Sequence, residues 1–265
     1  MVAAEPTAGR VIDIYQRHAI AWSRDRGDRL HEKAWLDRFL ALLPDRPTVL
    51  DIGCGSGVPM GRYLIENRCR LTGIDASSAM VSMCTDRFSE QEWHVADMRT
   101  LDLNRKFDGI VAWDSFFHLP QEDQRRMFPI FARHAAAGAA LMFTSGPSAG
   151  EQIGRYRGEP LYHASLDRDE YRGLLHDNGF RVVTHTVDDP ACGGHTIWLA
   201  RLGKRPAISR TRSCGPCSTR IGVGRRAESS RRSGTRVCRG RRGRWAGRRR
   251  GAAPSGRVRC RSHTG

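Results

Sequence analysis

The sequence lacks the features of a membrane or secreted protein. No apolar run in its 265 residues is long enough to span a membrane, and the amino terminus has no pattern of a secretory signal peptide. Of its eight cysteines, four fall in residues 1–204. We therefore expect these four to be reduced thiols in a cytoplasmic protein. We also expect no membrane partner, and a monomer or a homodimer.

Residues 205–265, the tail, contain no leucine, phenylalanine, methionine, tyrosine, aspartate, asparagine, glutamine or lysine. They hold 19 arginines and one acidic residue, Glu228, and so account for the chain's net charge of +16. The remaining 25 basic and 27 acidic side chains leave residues 1–204 with a charge of −2. So few apolar side chains cannot bury enough surface to offset the entropy of ordering the segment. We predict that the tail alone is disordered.

Two interpretations of the tail stay open. Its arginines suit phosphate, which would make it an arm for nucleic acid, yet it has no lysine and only one tryptophan, Trp245, on which a base could stack. Alternatively, the tail is an accidental extension of a frame that ends near Lys204, and we favour this interpretation. Cys214 and Cys217 have the spacing of half a zinc site, but their candidate partners lie far along the chain, so we predict no metal.

The rest of the chain alternates between two kinds of apolar pattern. Before residue 48, helical spacing predicts two helices, at 10–25 and 29–43. Beyond it, strands are predicted at 48–52, 70–75, 92–96, 107–112, 139–144, 180–187 and 195–201, and helices at 58–67, 77–87, 120–136 and 167–178. This alternation is typical of an α/β fold with a mostly parallel sheet covered on both faces. The last two strands should pair antiparallel, because the loop between them is too short for a crossover.

A glycine-rich and proline-rich segment at residues 146–165 separates the fifth strand from the next helix. Its composition predicts a long loop. We expect that loop to lie over the carboxyl edge of the sheet, where open α/β folds bind their ligands.

The most informative motif follows the first predicted strand. Gly53, Gly55 and Gly57 lie between a strand and a helix, so that the backbone can approach a ligand at the amino end of that helix. Dinucleotide-binding proteins have a similar turn. Asp51, two residues earlier, disfavours a pyrophosphate there and favours a cationic ligand, because a carboxylate repels the one and attracts the other. It could also bond the backbone amides of the turn.

Four motifs in this order resemble those of class I S-adenosylmethionine-dependent methyltransferases. They are the run 49–57, Gly73-Ile74-Asp75, Ala96-Asp97-Met98, and the strand 107–112. The resemblance covers residues 10–202 and implies a doubly wound, Rossmann-like sheet of seven strands with an antiparallel last strand. It divides the chain into an amino-terminal helical lid (1–47), a cofactor-binding core (48–204) and the tail (205–265).

The resemblance also implies a site for S-adenosylmethionine. Asp75 would accept hydrogen bonds from both ribose hydroxyls, and Asp97 would accept one from the exocyclic amine of adenine. Met98 would contribute a backbone N–H to the ring. The other residues implied at the cofactor are Tyr15, Asp51, Gly53, Cys54, Gly55, Gly57, Ala76, Met80, Ala112 and Trp113.

The acceptor side is less defined. The near-neutral charge of the core favours a small-molecule methyl acceptor. Two alternatives stay open. The protein could methylate RNA or DNA that it binds through the tail, or it could bind the cofactor without turnover. His118 is the candidate general base, since an imidazole titrates near neutral pH, although a structural role for it is equally open. The residues predicted to line the acceptor site are Trp22, Asp114, Phe117, His118, Tyr162 and His195.

Overall fold

The computed structural model describes residues 8–203. The predictions that concern the tail, including disorder, nucleic-acid binding and the cysteine pair, lie outside these residues. The helices are α1 (Val11–Arg26), α2 (Lys33–Leu40), α3 (Met60–Glu66), α4 (Ser78–Arg87), α5 (Gln121–His134) and α6 (Arg168–Asp177). The strands are β1 (Thr48–Ile52), β2 (Arg70–Asp75), β3 (Glu92–Val95), β4 (Phe107–Ala112), β5 (Ala135–Ser145), β6 (Gly150–Tyr156), β7 (Glu159–Ser165), β8 (Phe180–Asp189) and β9 (His195–Leu202).

Seven of these strands form one sheet in the order β3-β2-β1-β4-β5-β9-β8. Strands β1 to β5 are parallel, and β9 is antiparallel to both of its neighbours, β5 and β8. The order reverses between β1 and β4, and the carboxyl ends of these two strands therefore flank a crevice where a ligand can bind. The predicted seven-stranded, doubly wound fold with an antiparallel last strand is confirmed.

Apolar side chains cover both faces of the sheet, as a parallel sheet requires. On one face, Phe116, Phe128 and Phe143 pack with the aromatic residues of α6 and β9. On the other face, Trp35 and Phe39 of α2 pack against the sheet. The two layers hold the carboxyl ends of the strands in fixed positions, which positions the loops that follow them.

The predicted loop at residues 146–165 is wrong: the segment forms a β-hairpin of β6 and β7. Arg157 and Gly158, with φ of 48° and 84°, make the two-residue connection, and positive φ at both positions is what a type I′ turn requires. The abundant glycine and Pro160 concealed the strands in the sequence. Pro160 is tolerated because a two-stranded ribbon has an unpaired edge on each side.

Helix α1 closes over the carboxyl edge of the sheet as the predicted amino-terminal lid. The Gln16 side-chain oxygen accepts hydrogen bonds from the Ser77 hydroxyl (2.8 Å) and from the backbone N–H of Ala79 (3.2 Å) at the start of α4. Towards the hairpin, Arg17 and His18 both contact the Glu159 carboxylate, at 2.5 and 2.7 Å. No helix within residues 8–203 is long and apolar enough to cross a membrane.

Candidate active site

A cavity of about 510 Å³ lies between α1 and the carboxyl ends of β1, β2 and β4. Its wall contains all but one of the residues predicted at the cofactor. These are Tyr15, Asp51, Gly53, Cys54, Gly55, Gly57, Asp75, Ala76, Met80, Asp97, Met98 and Trp113. The exception is Ala112, which is fully buried in the core beneath the sheet, because the alternation of side chains along β4 turns it away from the crevice.

The glycine turn after β1 is crowded by its neighbours. Gly53, Gly55 and Gly57 have φ of 77°, 53° and 75°, in the left-handed region that favours glycine. A Cβ at Gly53 would collide with the side chain of Ser115, and one at Gly55 would lie 3.0 Å from the Trp22 ring of the lid. The turn is therefore built so that only backbone faces the cavity.

We expect Gly53→Ala to lower the free energy of unfolding by about 1 to 3 kcal/mol, because it combines a strained φ with overpacking against Ser115. Gly173→Ala is the matched control. Gly173 lies inside α6 with open space around its Cβ position, so there the same change should raise stability by about 0.5 to 1 kcal/mol. Urea unfolding of both variants measures the difference, and equal stabilities would contradict the strain at Gly53.

Asp75 ends β2 and holds the glycine turn. Its carboxylate accepts hydrogen bonds from the backbone N–H of Gly55 (3.0 Å) and of Ser77 (2.8 Å). Burial raises the pKa of Asp75, although these two N–H groups oppose the shift. The carboxylate therefore links the turn to the start of α4 and still has lone pairs free for donors from the cavity.

Asp51 is in a different position. It is 5% exposed, and among residues 8–203 no side chain or backbone N–H donates a hydrogen bond to its carboxylate. Burial, and then the neighbouring charge of Asp75, raises the pKa of Asp51 to about 7. The alternative in which Asp51 bonds the amides of the turn is not observed, since the N–H groups of Gly53 and Cys54 bond the carbonyl of Ile74 instead.

Two further groups on the cavity wall have contrasting partners. The indole N–H of Trp113 is buried and has no acceptor among the described residues. Asp97 is bonded by the Arg99 guanidinium, at distances from 2.5 to 3.0 Å, and by the Arg99 backbone N–H. Burial alone would raise the pKa of Asp97, but the contacts with Arg99 lower it on balance. The negative charge of Asp97 is thus compensated by Arg99, whereas that of Asp51 has no such partner.

A smaller chamber of about 260 Å³ adjoins this cavity, and both share Tyr15, Trp22, Arg26, Asp114 and His118. Its remaining walls are Phe117, His163 and His195. Five of the six predicted acceptor-site residues therefore meet here: Trp22, Asp114, Phe117, His118 and His195.

The sixth predicted residue, Tyr162, does not line the chamber. Its ring is buried against Val11 and Ile14 of α1, and its hydroxyl donates to Glu151 at 2.8 Å. In contrast, His163 and Arg26 line the chamber but were not predicted. The pairing of β6 with β7 puts adjacent side chains of the hairpin on opposite faces, which separates Tyr162 from His163.

His118 is buried, and both of its ring nitrogens have partners. Nδ1 lies 2.8 Å from the carbonyl oxygen of Tyr162, which can only accept, so Nδ1 carries the proton. Nε2, 2.9 Å from the Tyr15 hydroxyl, is then the acceptor, and the phenol donates. Burial lowers the pKa of His118 to about 4 and raises the pKa of Tyr15 well above its usual value. The neutral imidazole therefore fixes the phenol at the junction of the two cavities.

His195 is charged. Its Nδ1 lies 2.6 Å from the Cys192 carbonyl oxygen and its Nε2 lies 3.0 Å from the Asp114 carboxylate, so both nitrogens face acceptors. The hydrogen bond to Asp114 raises the pKa of His195 to about 9. Asp114 has φ of 47°, and its backbone N–H bonds the Thr144 hydroxyl at 2.9 Å. This strained backbone directs an ion pair into the chamber.

The sequence of the chain matches a known protein family. Residues 17–185 match a family model described as a methyltransferase domain, which covers more than half of the chain. The chain belongs to this methyltransferase family. The assignment of the sequence to the class I S-adenosylmethionine-dependent methyltransferases is confirmed by that match together with the fold.

The chain has relatives whose names indicate varied methyl acceptors. It is 31% identical over 132 residues to the dTDP-4-amino-2,3,4,6-tetradeoxy-D-glucose N,N-dimethyltransferase of Saccharopolyspora spinosa, over 49% of this chain and 52% of that enzyme. The chain thus spans about half the length of this relative. It is 32% identical over 189 residues to the trans-aconitate 2-methyltransferase of Azoarcus sp. (strain BH72), over 63% of this chain and 72% of that enzyme.

Among solved structures, the chain resembles the Burkholderia thailandensis 1,6-didemethyltoxoflavin-N1-methyltransferase, solved with 1,6-didemethyltoxoflavin and S-adenosylhomocysteine. The TM-score is 0.60 at 16% sequence identity, and the alignment covers 77% of this chain and 92% of that one. At this identity the likeness shows a shared fold.

Proposed function

We propose that the protein transfers the methyl group of S-adenosylmethionine to a small-molecule acceptor. The observation that carries this proposal is the uncompensated charge of the larger cavity. Asp51 is buried there and Asp75 is partly buried, and no basic side chain within residues 8–203 forms an ion pair with either. The other ionic groups on the wall are paired: Asp97 with Arg99, and Arg26 with Glu32.

A buried carboxylate without a counterion is costly, and its pKa rises until a cation or a proton compensates it. A ligand that carries a sulfonium and an ammonium group supplies that compensation, whereas a pyrophosphate would increase the repulsion. The free indole N–H of Trp113 is a donor suited to a ligand oxygen or nitrogen. The chemistry of this wall therefore fits S-adenosylmethionine.

Each group has a defined part in this proposal. Asp75 holds the ribose hydroxyls, the glycine turn approaches the amino-acid portion, and Asp51 faces its positive charge. Ala76 and Met80 would flank the adenine, Met98 would supply a backbone N–H to the ring, and Asp97 would accept from the exocyclic amine. When bound, the cofactor supplies an activated methyl group, so the protein's own part is to align the acceptor with it and to exclude water.

The acceptor chamber supports a small molecule. Its volume of about 260 Å³ suits one compact group, and the charges on its wall are compensated within the protein, Asp114 by His195 and Arg26 by Glu32. The two relatives described above are named for a nucleotide sugar and a tricarboxylic acid, and the structural neighbour for a heterocycle. A nucleic-acid acceptor rests on the tail alone and stays a prediction.

A catalytic role for His118 also stays a prediction, and its geometry suggests that it acts through Tyr15. We expect His118→Asn and Tyr15→Phe each to reduce kcat at least about tenfold, since the first change frees the phenol at the junction and the second removes its hydroxyl. The double variant should be no slower than the worse single variant. His176→Asn, which alters an exposed histidine, is the control. Additive losses in the double variant would instead indicate separate roles.

The proposed function is tested by two measurements. Isothermal titration with S-adenosylhomocysteine should show one binding site per chain. Label from methyl-labelled S-adenosylmethionine should then enter compounds in the low-molecular-weight fraction of a cell extract, and not total RNA. No binding would overturn the cofactor assignment. Binding without transfer to either pool would make the protein a cofactor-binding protein, and transfer to RNA alone would refute the small acceptor.

A further inference from the structure

Three imidazole rings line the acceptor chamber, and they differ in which nitrogens are available. His118 donates from Nδ1 to the carbonyl of Tyr162 and accepts the Tyr15 phenol at Nε2. His195 donates from both nitrogens, to Cys192 and to Asp114. Neither ring has a lone pair that an acceptor molecule can reach without breaking an existing hydrogen bond.

His163 is the exception. It lies on β7, with its ring centre 4.8 Å from that of His118 and 5.3 Å from that of Phe117. No side chain within residues 8–203 makes a hydrogen bond with its ring, and the backbone carbonyl oxygens of Leu161 and Gln152 beside it can accept from an N–H but cannot occupy a nitrogen lone pair. Neither ring nitrogen is sealed in the interior. A neutral imidazole in this state presents one nitrogen that can accept a proton.

The surroundings keep this ring neutral before reaction and tolerate its protonation afterwards. Desolvation lowers the pKa of His163, while the carbonyl oxygens of Leu161 and Gln152 and the carboxylate of Asp114 oppose the shift. A base that is unprotonated at neutral pH, yet lies near a carboxylate, is suited to accepting a proton in the transition state.

We propose that His163 is the proton acceptor of the methyl-transfer reaction, taking the proton of a neutral hydroxyl or amine bound in the chamber. This inference rests on the proposed function. The lone pair of the acceptor atom forms a bond to the methyl carbon as the carbon–sulfur bond breaks, and sulfur keeps that electron pair. The proton of the acceptor atom moves to the free nitrogen of His163. The resulting imidazolium faces Asp114 and returns the proton to solvent through the chamber opening.

The catalytic test compares His163→Asn and His163→Gln with His176→Asn, an exposed control. The donor is methyl-labelled S-adenosylmethionine, and the acceptors are the low-molecular-weight fraction of a cell extract. We expect both His163 variants to bind S-adenosylhomocysteine as the wild type does and to lose about 100-fold in transfer rate. Wild-type transfer with undiminished rates in both variants would overturn this inference alone. An inactive wild type would overturn the proposed function, and this inference with it.

The pH profile separates proton transfer from a structural role. The wild-type rate should fall as pH decreases through the titration of His163, and the variants should lack that limb. The other titratable groups facing the chamber are Tyr15 and Arg26 of α1, Asp114 and His118 after β4, and His195 of β9. Asp114 and His195 form an ion pair that is intact in the His163 variants. Any pH dependence that this pair causes therefore remains in the profiles of the variants. An unchanged acid limb in the variants would refute the assignment.

A measurement without turnover checks the free nitrogen directly. Diethyl pyrocarbonate acylates accessible, unprotonated imidazole nitrogens. In the full-length protein with S-adenosylhomocysteine, peptide mass spectrometry should find His163 modified and His118 and His195 protected. Modification of His118 ahead of His163 would contradict the assignment.

Discussion

Asp75→Asn should abolish useful binding of S-adenosylhomocysteine, with an expected loss in affinity of about 100- to 1,000-fold. Hydrogen bonds to a charged group contribute about 1.5 to 3 kcal/mol each, and in the proposed function the carboxylate accepts two from the ribose. The substitution also leaves an NH₂ group facing either the Gly55 or the Ser77 N–H, so that one anchor of the glycine turn is lost.

Isothermal titration measures this loss, and Asp177→Asn is its control. That variant makes the same chemical change on an aspartate that is 75% exposed at the end of α6. It should bind as the wild type does. If the Asp75 variant bound the ligand normally while remaining folded, the ribose would lie elsewhere, and the cofactor site would have to be reassigned.

For Asp51→Asn we expect opposite effects on stability and on binding. In the folded protein the pKa of Asp51 is about 7, against 3.8 for an aspartate exposed to water, so between these values the folded state holds a proton that the unfolded state has lost. Stability therefore falls as pH rises from about 4 to 7, and the full penalty applies above pH 7. This penalty is a decrease of up to about 4 kcal/mol in the free energy of unfolding, and the asparagine variant should not show it.

Thermal unfolding without ligand should thus show the Asp51→Asn variant to be more stable than the wild type at pH 8 and equal to it near pH 4. S-adenosylmethionine should stabilise the wild type more at pH 8 than at pH 6, because the cation replaces the proton. The variant should bind the cofactor at least about tenfold more weakly and lose this pH dependence. Parallel stability curves for the two proteins would show that Asp51 already has a partner.

The parts of the site that could be predicted are those encoded locally. Asp51 and Asp75 lie at the carboxyl ends of β1 and β2, and the glycine turn and Asp97 follow β1 and β3. Parallel strands bring these carboxyl ends to one edge of the sheet. Sequence position alone thus places them together. Ala112 is one residue from the wall, but which of two neighbouring side chains faces a ligand depends on strand register.

The hairpin could not be predicted in the same way. Gly150 and Gly154 in β6 and Pro160 in β7 are unfavourable to strands, and the hairpin is defined by pairing across the turn and by packing against α1 rather than by local preference. With the segment treated as a loop, nothing in the sequence shows that Tyr162, which is predicted at the acceptor site, lies outside it and that His163, which is not predicted, lines it. Only pairing reveals that one ring is turned into the core and the other into the chamber. The Arg157–Gly158 step was the available signal, since glycine at such a step favours a tight turn.

The shared wall of the two cavities constrains the order of events in a catalytic cycle. Tyr15, Trp22 and Arg26 belong to α1 and border both compartments, while Trp22 covers the glycine turn. In the proposed function, a movement of α1 that widens the donor cavity also widens the compartment that holds the acceptor. If donor exchange uses that movement, a substrate with two sites for methylation is released between rounds, and a singly modified intermediate accumulates in solution before the final product does.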